Sequence, residues 1–295
     1  MSQLKQLRLG LFTGNVGLHV LSNTDILEKN LATAGHDIQL KWVNVDRGDL
    51  APDLIAGRII HLGGTGSTPP ITSQSRGLPI VYVASSVSRS LGGFVVRKDS
   101  SIQSIADLRG KTISLALGAW PTQVLAVALD RHGLSFNDLY PINVGEFGLQ
   151  ALEEGGIDAI IGGIPQDQAD KFRYIARVND FVSNPSVYTA HREFAENHTE
   201  VLKIVAQSLN EAEHWVAQEP SRYAALVGRT SRYVNSATGR TEYGLRDIAP
   251  DFIDEQQRSA DILLRFGFIS RRIRVADAVL PFKLLAAREL AEAVA

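Results

Sequence analysis

An α/β fold with layered, mostly parallel strands is predicted by three observations on the sequence. Short β-branched runs alternate with helical spacing through the first two-thirds of the chain. Glycine stands just past four helical segments, at Gly35, Gly57, Gly77 and Gly133. From Arg192 onward the pattern becomes mostly helical.

Taken in order, residues 7–12 read as a first strand, followed by a loop from Thr13 to Gly17. Residues 18–34 have helical spacing, and 38–43 form a strand. A short helix over 49–56 precedes a strand over 59–62, a helix over 71–76 and a strand over 79–84. The polar stretch from Ser85 to Gly93 suits a crossing between domains. Strands are then expected over 94–96, 112–116, 159–161 and 186–189. Helices are expected over 123–132, 149–154 and 166–171, with one turn near 105–111. The helical remainder comprises 198–217, 220–227, 254–266 and 281–293.

The 295 residues suffice for two medium domains or one large one. The formal net charge of −2, without basic or acidic blocks, argues against nucleic acid as a partner. No run reaches the length of a membrane span, so no membrane insertion is expected. The chain has no cysteine, which excludes disulfides, thiolate metal sites and a cysteine nucleophile. No His, Asp or Glu pair has metal-ligand spacing, and Gly63-Gly64 is not a dinucleotide fingerprint. Neither a metal nor a cofactor is expected.

Residues 58–71 carry the most chemical information. A β-branched run breaks into Gly63, Gly64 and Gly66, interleaved with Thr65, Ser67 and Thr68, and Pro69-Pro70 follow at a helix start. Bare amides at such a helix end, beside hydroxyls, can hold an anion without formal positive charge. The same residues also suit a capped helix start with no ligand.

The ordered segments Leu27-Glu28-Lys29-Asn30-Leu31-Ala32, Thr65-Gly66-Ser67-Thr68-Pro69-Pro70, Gly93-Phe94-Val95-Val96 and Ile105-Ala106-Asp107-Leu108-Arg109-Gly110-Lys111 carry a family likeness. Arg192-Glu193-Phe194-Ala195 and Val275-Ala276-Asp277-Ala278-Val279 extend it. Together, over about residues 7–290, they resemble the substrate-binding proteins of aliphatic sulfonate, taurine and nitrate ABC importers. The resemblance implies a two-lobed type II periplasmic-binding-protein fold with the ligand cleft between the lobes. Residues 1–88 and 192–295 would form lobe I and 89–191 lobe II, with the second crossing near Thr189 to Glu193. It also implies ligand contacts from Asn15, Gly17, Thr65, Ser67, Thr68, Ala119 and Trp120, with His61 lining the cleft and Arg89 able to reach inward. The ligand would be a small organic anion, alkanesulfonate-like or a carboxylate, and the partner an ABC permease if the protein is exported.

The chain departs from that pattern at three places. The polar start Met1-Ser2-Gln3-Leu4-Lys5-Gln6 is not expected to act as an export leader. His61 stands where importers usually carry aspartate, and Gly162-Gly163-Ile164-Pro165 replaces a tryptophan-aspartate-proline segment. A trimmed leader would make the protein periplasmic or cell-surface, whereas a native Met1 would make it cytoplasmic. The alternative function is a cytoplasmic enzyme acting on a small organic acid or aromatic, with His61 and perhaps His19 as general acid/base. The fold is similar to that of a biphenyl-sulfinate desulfinase with a histidine in the corresponding strand. That enzyme's cysteine is absent here, and Asn15 stands about where it would fall. The cysteine-rich segment of a thiamine-pyrimidine enzyme on this fold is absent as well. His61 can equally be a strand histidine bonded to a neighbouring loop, His19 a capping residue, and Trp120 a wall of the cleft.

Overall fold

The computed structural model describes residues 4–12, 14–87, 92–227 and 242–285. The chain begins with β1 (Gln6–Leu11), α1 (Val16–Leu21), α2 (Ile26–Thr33), β2 (Gln39–Asn44), α3 (Ala51–Ala56), β3 (Leu62–Thr65), α4 (Thr68–Ser75) and β4 (Ile80–Ser86). It continues through β5 (Gly93–Arg97), β6 (Thr112–Ser114), α5 (Trp120–Arg131), β7 (Tyr140–Ile142), α6 (Gly148–Glu153), β8 (Ala159–Gly162) and β9 (Phe172–Arg177). It closes with β10 (Val187–His191), α7 (Arg192–Asn197), α8 (Thr199–Gln218), α9 (Pro220–Val227), β11 (Leu245–Arg246) and a last helix, α10 (Pro250–Arg265). Thr13, Arg89 and the part of the expected helix beyond residue 285 lie outside the described residues; residues 281–285 form bends rather than a helix.

The strands build two sheets, each the centre of one α/β lobe. The first has the order β11-β4-β10-β3-β1-β2 and the second β7-β6-β8-β5-β9. In the first, β1, β2 and β3 are parallel, and β10 lies antiparallel between β3 and β4. In the second, β6 is parallel to β7 and β8, while β5 is antiparallel to β8 and β9. This mixed topology follows from the two crossings, since β4 leaves the first sheet and β10 returns beside it. The crossings are tied together: the Ser86 N–H donates to the Ser186 carbonyl at 2.8 Å, and the Ser186 N–H donates to Ser86 Oγ at 2.9 Å.

Each sheet buries its own apolar layer. Leu9, Leu18, Leu27 and Leu62 pack with Leu202 and Leu209 of α8 in the first. That follows from the amphipathic spacing of α8, whose Val201, Leu202, Val205, Ala206 and Leu209 are buried. Phe94, Ile113, Val124 and Leu125 form the second layer, and Phe252 and Leu263 of α10 join it together with Ile71 and Tyr82.

Several expectations shift. The helix expected over 18–34 breaks into α1 and α2 because Ser22 and Asn23 side chains donate to the His19 carbonyl, and Thr24 Oγ1 donates to the Val20 carbonyl. The strand expected over 59–62 begins instead at Leu62 and runs through both glycines. Gly63 pairs with Gly10 and Thr189, and a Cβ on it would meet Ala51 Cβ at 3.2 Å. The glycines therefore serve close packing inside a strand. The helix expected over 166–171 is only a 3-10 turn, Gln166–Gln168, followed by β9, which the alternation pattern did not reveal. Two elements also cross the division drawn at residues 89 and 192. β10 pairs with β3 and β4, so Val187–His191 lie in the first sheet and the chain returns before Val187. α10 packs its apolar face on α5 of the second lobe, where Gln123 Nε2 donates to Ser259 Oγ at 2.8 Å.

Candidate functional site

The loops after β1, β3 and β6 all leave the carboxyl ends of parallel strands, the usual crevice of an open α/β sheet. At the first loop Asn15 caps α1, its Oδ1 accepting from the Leu18 N–H at 3.3 Å. Asn15 is 1% exposed, and its Nδ2 makes no hydrogen bond within the protein. Gly64 shapes this position, because any Cβ there would overlap the Asn15 amide. At the second loop Thr65, Ser67 and Thr68 are buried, and none of the three hydroxyls has a partner. Pro69 and Pro70 occupy the first turn of α4, where a missing N–H costs nothing.

The second lobe reaches this loop through Trp120. A Cβ on Gly66 would lie 3.1 Å from Trp120 Cβ and 3.7 Å from its backbone N. Trp120 opens α5 after Ala119, and the preceding turn is held by the Gly118 N–H donating to Thr122 Oγ1 at 2.8 Å. Gly118 takes a φ of +86°, which glycine adopts without strain. Residues 63–70 and 116–122 contain no charged side chain. Gly64 beside Asn15 and Gly66 beside Trp120 thus bring the hydroxyl loop over residues 65–68 next to the start of α1 and the start of α5. Such a set can hold one anionic group through amide and hydroxyl hydrogens.

Three expected residues are elsewhere. Gly17 turns into the first core, where a Cβ would meet Tyr188 Oη at 2.5 Å and Leu209 Cδ2 at 3.1 Å. His19 lies on the buried side of α1, edge-on to the Tyr223 ring at 6.3 Å, and burial lowers its pKa. His61 precedes β3, at the opposite end of the strand from Thr65, about 13 Å away at ordinary strand rise. Its Nδ1 accepts from the Arg8 N–H at 3.0 Å, and its ring stacks on Phe194 at 4.8 Å. His61 therefore does not line the cleft, and it is not paired with His19. The cause is the three-residue shift of β3: once Gly63 and Gly64 are strand residues, the histidine falls at the amino end. Sequence reasoning also missed Gly66 as the point of lobe contact and Gly64 as the support of Asn15. The visible signal was a third glycine between two hydroxyl residues. Among the described residues no group of three or more His, Asp or Glu side chains could hold a metal.

The burial of His61 instead ties stability to pH. Burial first, then Arg8, His198 and His191, hold its pKa down to about 4. A free histidine titrates near 6.5. Between those values the unfolded chain takes a proton that the folded chain refuses, so stability is full above pH 6.5 and falls as pH drops toward 4. His61→Asn, whose Oδ1 can accept from Arg8, should flatten the slope of the urea midpoint across this window. It should not abolish that slope, because His19 and His191 are also depressed by burial. An unchanged slope would remove His61 from the account.

Known proteins share this architecture. A putative aliphatic sulfonates-binding protein of Escherichia coli (strain K12) is 23% identical over 292 residues, covering 94% of this chain and 89% of the relative. The crystal structure of the periplasmic aliphatic sulphonate binding protein SsuA from Escherichia coli superposes with a TM-score of 0.84 at 23% identity, covering 99% of this chain and 97% of that one. The desulfurization enzyme DSZB has the same fold, with a TM-score of 0.67 at 17% identity and coverage of 95% and 97%. The shared fold thus accommodates binders and an enzyme alike. The family described as NMT1/THI5 like matches residues 31–223, a span that includes β3, the hydroxyl loop and α5 with Trp120. The two-lobed architecture and that match agree, and the chain belongs to the NMT1/THI5-like family.

Proposed function

We propose that the protein binds a small organic anion, a sulfonate or carboxylate, between its lobes as the solute-binding component of an ABC importer. The observation that carries this reading is the cluster of buried, unpartnered donors: Asn15 Nδ2 and the hydroxyls of Thr65, Ser67 and Thr68. Buried polar groups without partners cost about 1–3 kcal/mol each, so four on adjacent loops point to an external acceptor. The likeness to sulfonate-binding proteins of importers supports the same reading. The Trp120 amide at the start of α5 completes the coordination from the second lobe, while the Ala119 N–H donates to the Ala116 carbonyl at 3.2 Å. A carboxylate or sulfonate head can accept from the Asn15 amide, the three hydroxyls and the Trp120 N–H. On this reading the partner is an ABC permease and the working compartment is the periplasm or cell surface. Among the described residues no helix is long and apolar enough to cross a membrane.

No observation favours the enzyme alternative, because its proposed base, His61, is bonded to Arg8 away from these loops. The test is calorimetry with an alkanesulfonate. Thr68→Val keeps the side-chain volume and removes one donor to a charged group, which should weaken binding about tenfold or more. Saturation at about 100 times Kd should add about 2.7 kcal/mol to the wild-type stability. Equal affinity for wild type and Thr68→Val would refute the placement of the head group.

A further inference from the structure

α10 is bonded both to the helix that starts at Trp120 and to the chain returning from the second lobe. Gln123 stands one turn into α5, and its Nε2 donates to Ser259 Oγ of α10 at 2.8 Å, both residues being buried. At the other ends of the same two helices Arg265 pairs with Asp130. The helices are therefore joined at two levels and behave as one body. One turn before Ser259, Glu255 takes hold of the returning chain. Its carboxylate accepts from the Ser183 N–H at 3.0 Å and from Ser183 Oγ at 2.8 Å. The Arg131 guanidinium, at the end of α5, donates to the carbonyls of Asp180 and Phe181, the latter at 3.2 Å. Up to Ser183, then, the chain is fastened to the second lobe. From Ser186 it is bonded to Ser86, and it enters the first sheet at Val187. Between the two attachments stand Asn184 and Pro185. Asn184 takes a φ of +47°, a left-handed conformation in which asparagine is enriched.

We infer that Glu255 is a positioning residue for ligand capture: by holding Ser183 it limits the free span of the returning chain to two residues and so fixes where the Trp120 N–H arrives when the lobes meet. This rests on the head-group reading above and adds a residue that acts through α5. Charge-assisted hydrogen bonds are the strong ones, and two from a single residue make a stiff hold. Without Glu255, the free span would extend back from Asn184 toward Phe181. A longer span admits more placements of α5 against the hydroxyl loop. Placements in which the Trp120 N–H misses the head group dilute the closed complex, and the ligand leaves faster.

The experiment is stopped-flow fluorescence with butanesulfonate on the full chain, at a temperature where circular dichroism shows every variant folded. Glu255→Ala should raise the release rate about tenfold and leave the association rate within about twofold of wild type. Glu255→Gln keeps one acceptor for Ser183 and the shape of the side chain, so it serves if the alanine variant does not fold; release should rise about threefold. Gln123→Leu should also speed release. The double variant Glu255→Ala, Gln123→Leu should release no faster than the faster of the two single variants, because both interrupt one connection. Asp254→Ala removes the same charge from an exposed neighbour on α10 and should release at the wild-type rate. A residue serving stability alone would lower the melting temperature and leave release from the folded protein unchanged. That result for Glu255→Ala, or for Glu255→Gln in its place, would overturn the positioning role and leave the head-group reading standing. Effects that multiply in the double variant would likewise overturn it. Failure of the wild type to bind butanesulfonate would overturn the head-group reading and the positioning role together.

Discussion

Gly66→Val is expected to weaken ligand binding by about ten- to a hundredfold while leaving the folded chain otherwise intact. The argument starts from Gly66, which is half-buried on a loop whose lobe partner is Trp120. Even a methyl group would stand 3.1 Å from Trp120 Cβ, closer than most carbon contacts. An alanine asks for a few tenths of an ångström, which the loop can supply. A branched valine asks for more, and the atoms in its way are a helix-starting backbone and the base of an indole. The lobes would then meet short of full closure, and the amides of α5 would lose reach to the head group. Since no strand is touched and Trp120 lies at the partly buried margin of the second core, the thermal midpoint without ligand should stay within a few degrees of wild type. Small-angle scattering at saturating ligand should give the variant a larger radius than the liganded wild type. A variant that contracts and binds like wild type would show that Gly66 does not limit closure.

The second large effect is on stability. Gly93→Ala is expected to destabilise the chain by about 3 kcal/mol or more, lowering the melting temperature by roughly 6–12 °C. Gly93 begins β5 and pairs with Gly162 on one side and Arg177 on the other. A Cβ there would overlap the carbonyl oxygen of Ala176 and lie 2.8 Å from Tyr174 Cδ1. The carbonyl belongs to the paired strand and cannot step aside without breaking the ladder. Nor is the tyrosine free to swing away. Its Oη accepts from the Ile164 N–H at 2.9 Å, and the Arg177 guanidinium lies 3.7 Å over its ring. Gly163→Ala provides the control, because a methyl group on Gly163 would have nothing within 4 Å and its φ is not positive. That substitution should stay within about 0.5 kcal/mol of wild type. Similar urea midpoints for the two variants would dispose of the argument.

Much of the architecture was legible in the sequence, because alternation of apolar periods fixes an α/β layering and the glycine stops fix where helices end. The hydroxyl loop was legible too, since Thr65, Ser67 and Thr68 stand between a strand and two prolines. Where the reading failed, tertiary contact overrode local pattern. Gly63 and Gly64 look like a loop, yet they pair with β10, a strand more than a hundred residues away. That single shift carried His61 from the expected cleft to the far end of the sheet. α10 reads as another helix of the C-terminal part, and only its packing on α5 assigns its company. Gly17 sits in the first turn of α1, just after Asn15, but Tyr188 and Leu209 claim its open side. No local signal marks such a choice. The contact of Gly66 with Trp120 joins residues 54 positions apart in sequence and could be expected only through the family resemblance.

The bonded pair of crossings at Ser86 and Ser186 makes the connection between lobes a two-ply ribbon. Such a ribbon behaves as a leaf spring. Flexing it about the line joining the plies asks only for small dihedral changes, whereas twisting it shears both hydrogen bonds at once. Jaw-like opening is accordingly the soft mode and lateral slip the stiff one, so the two rims should return to the same register on every cycle.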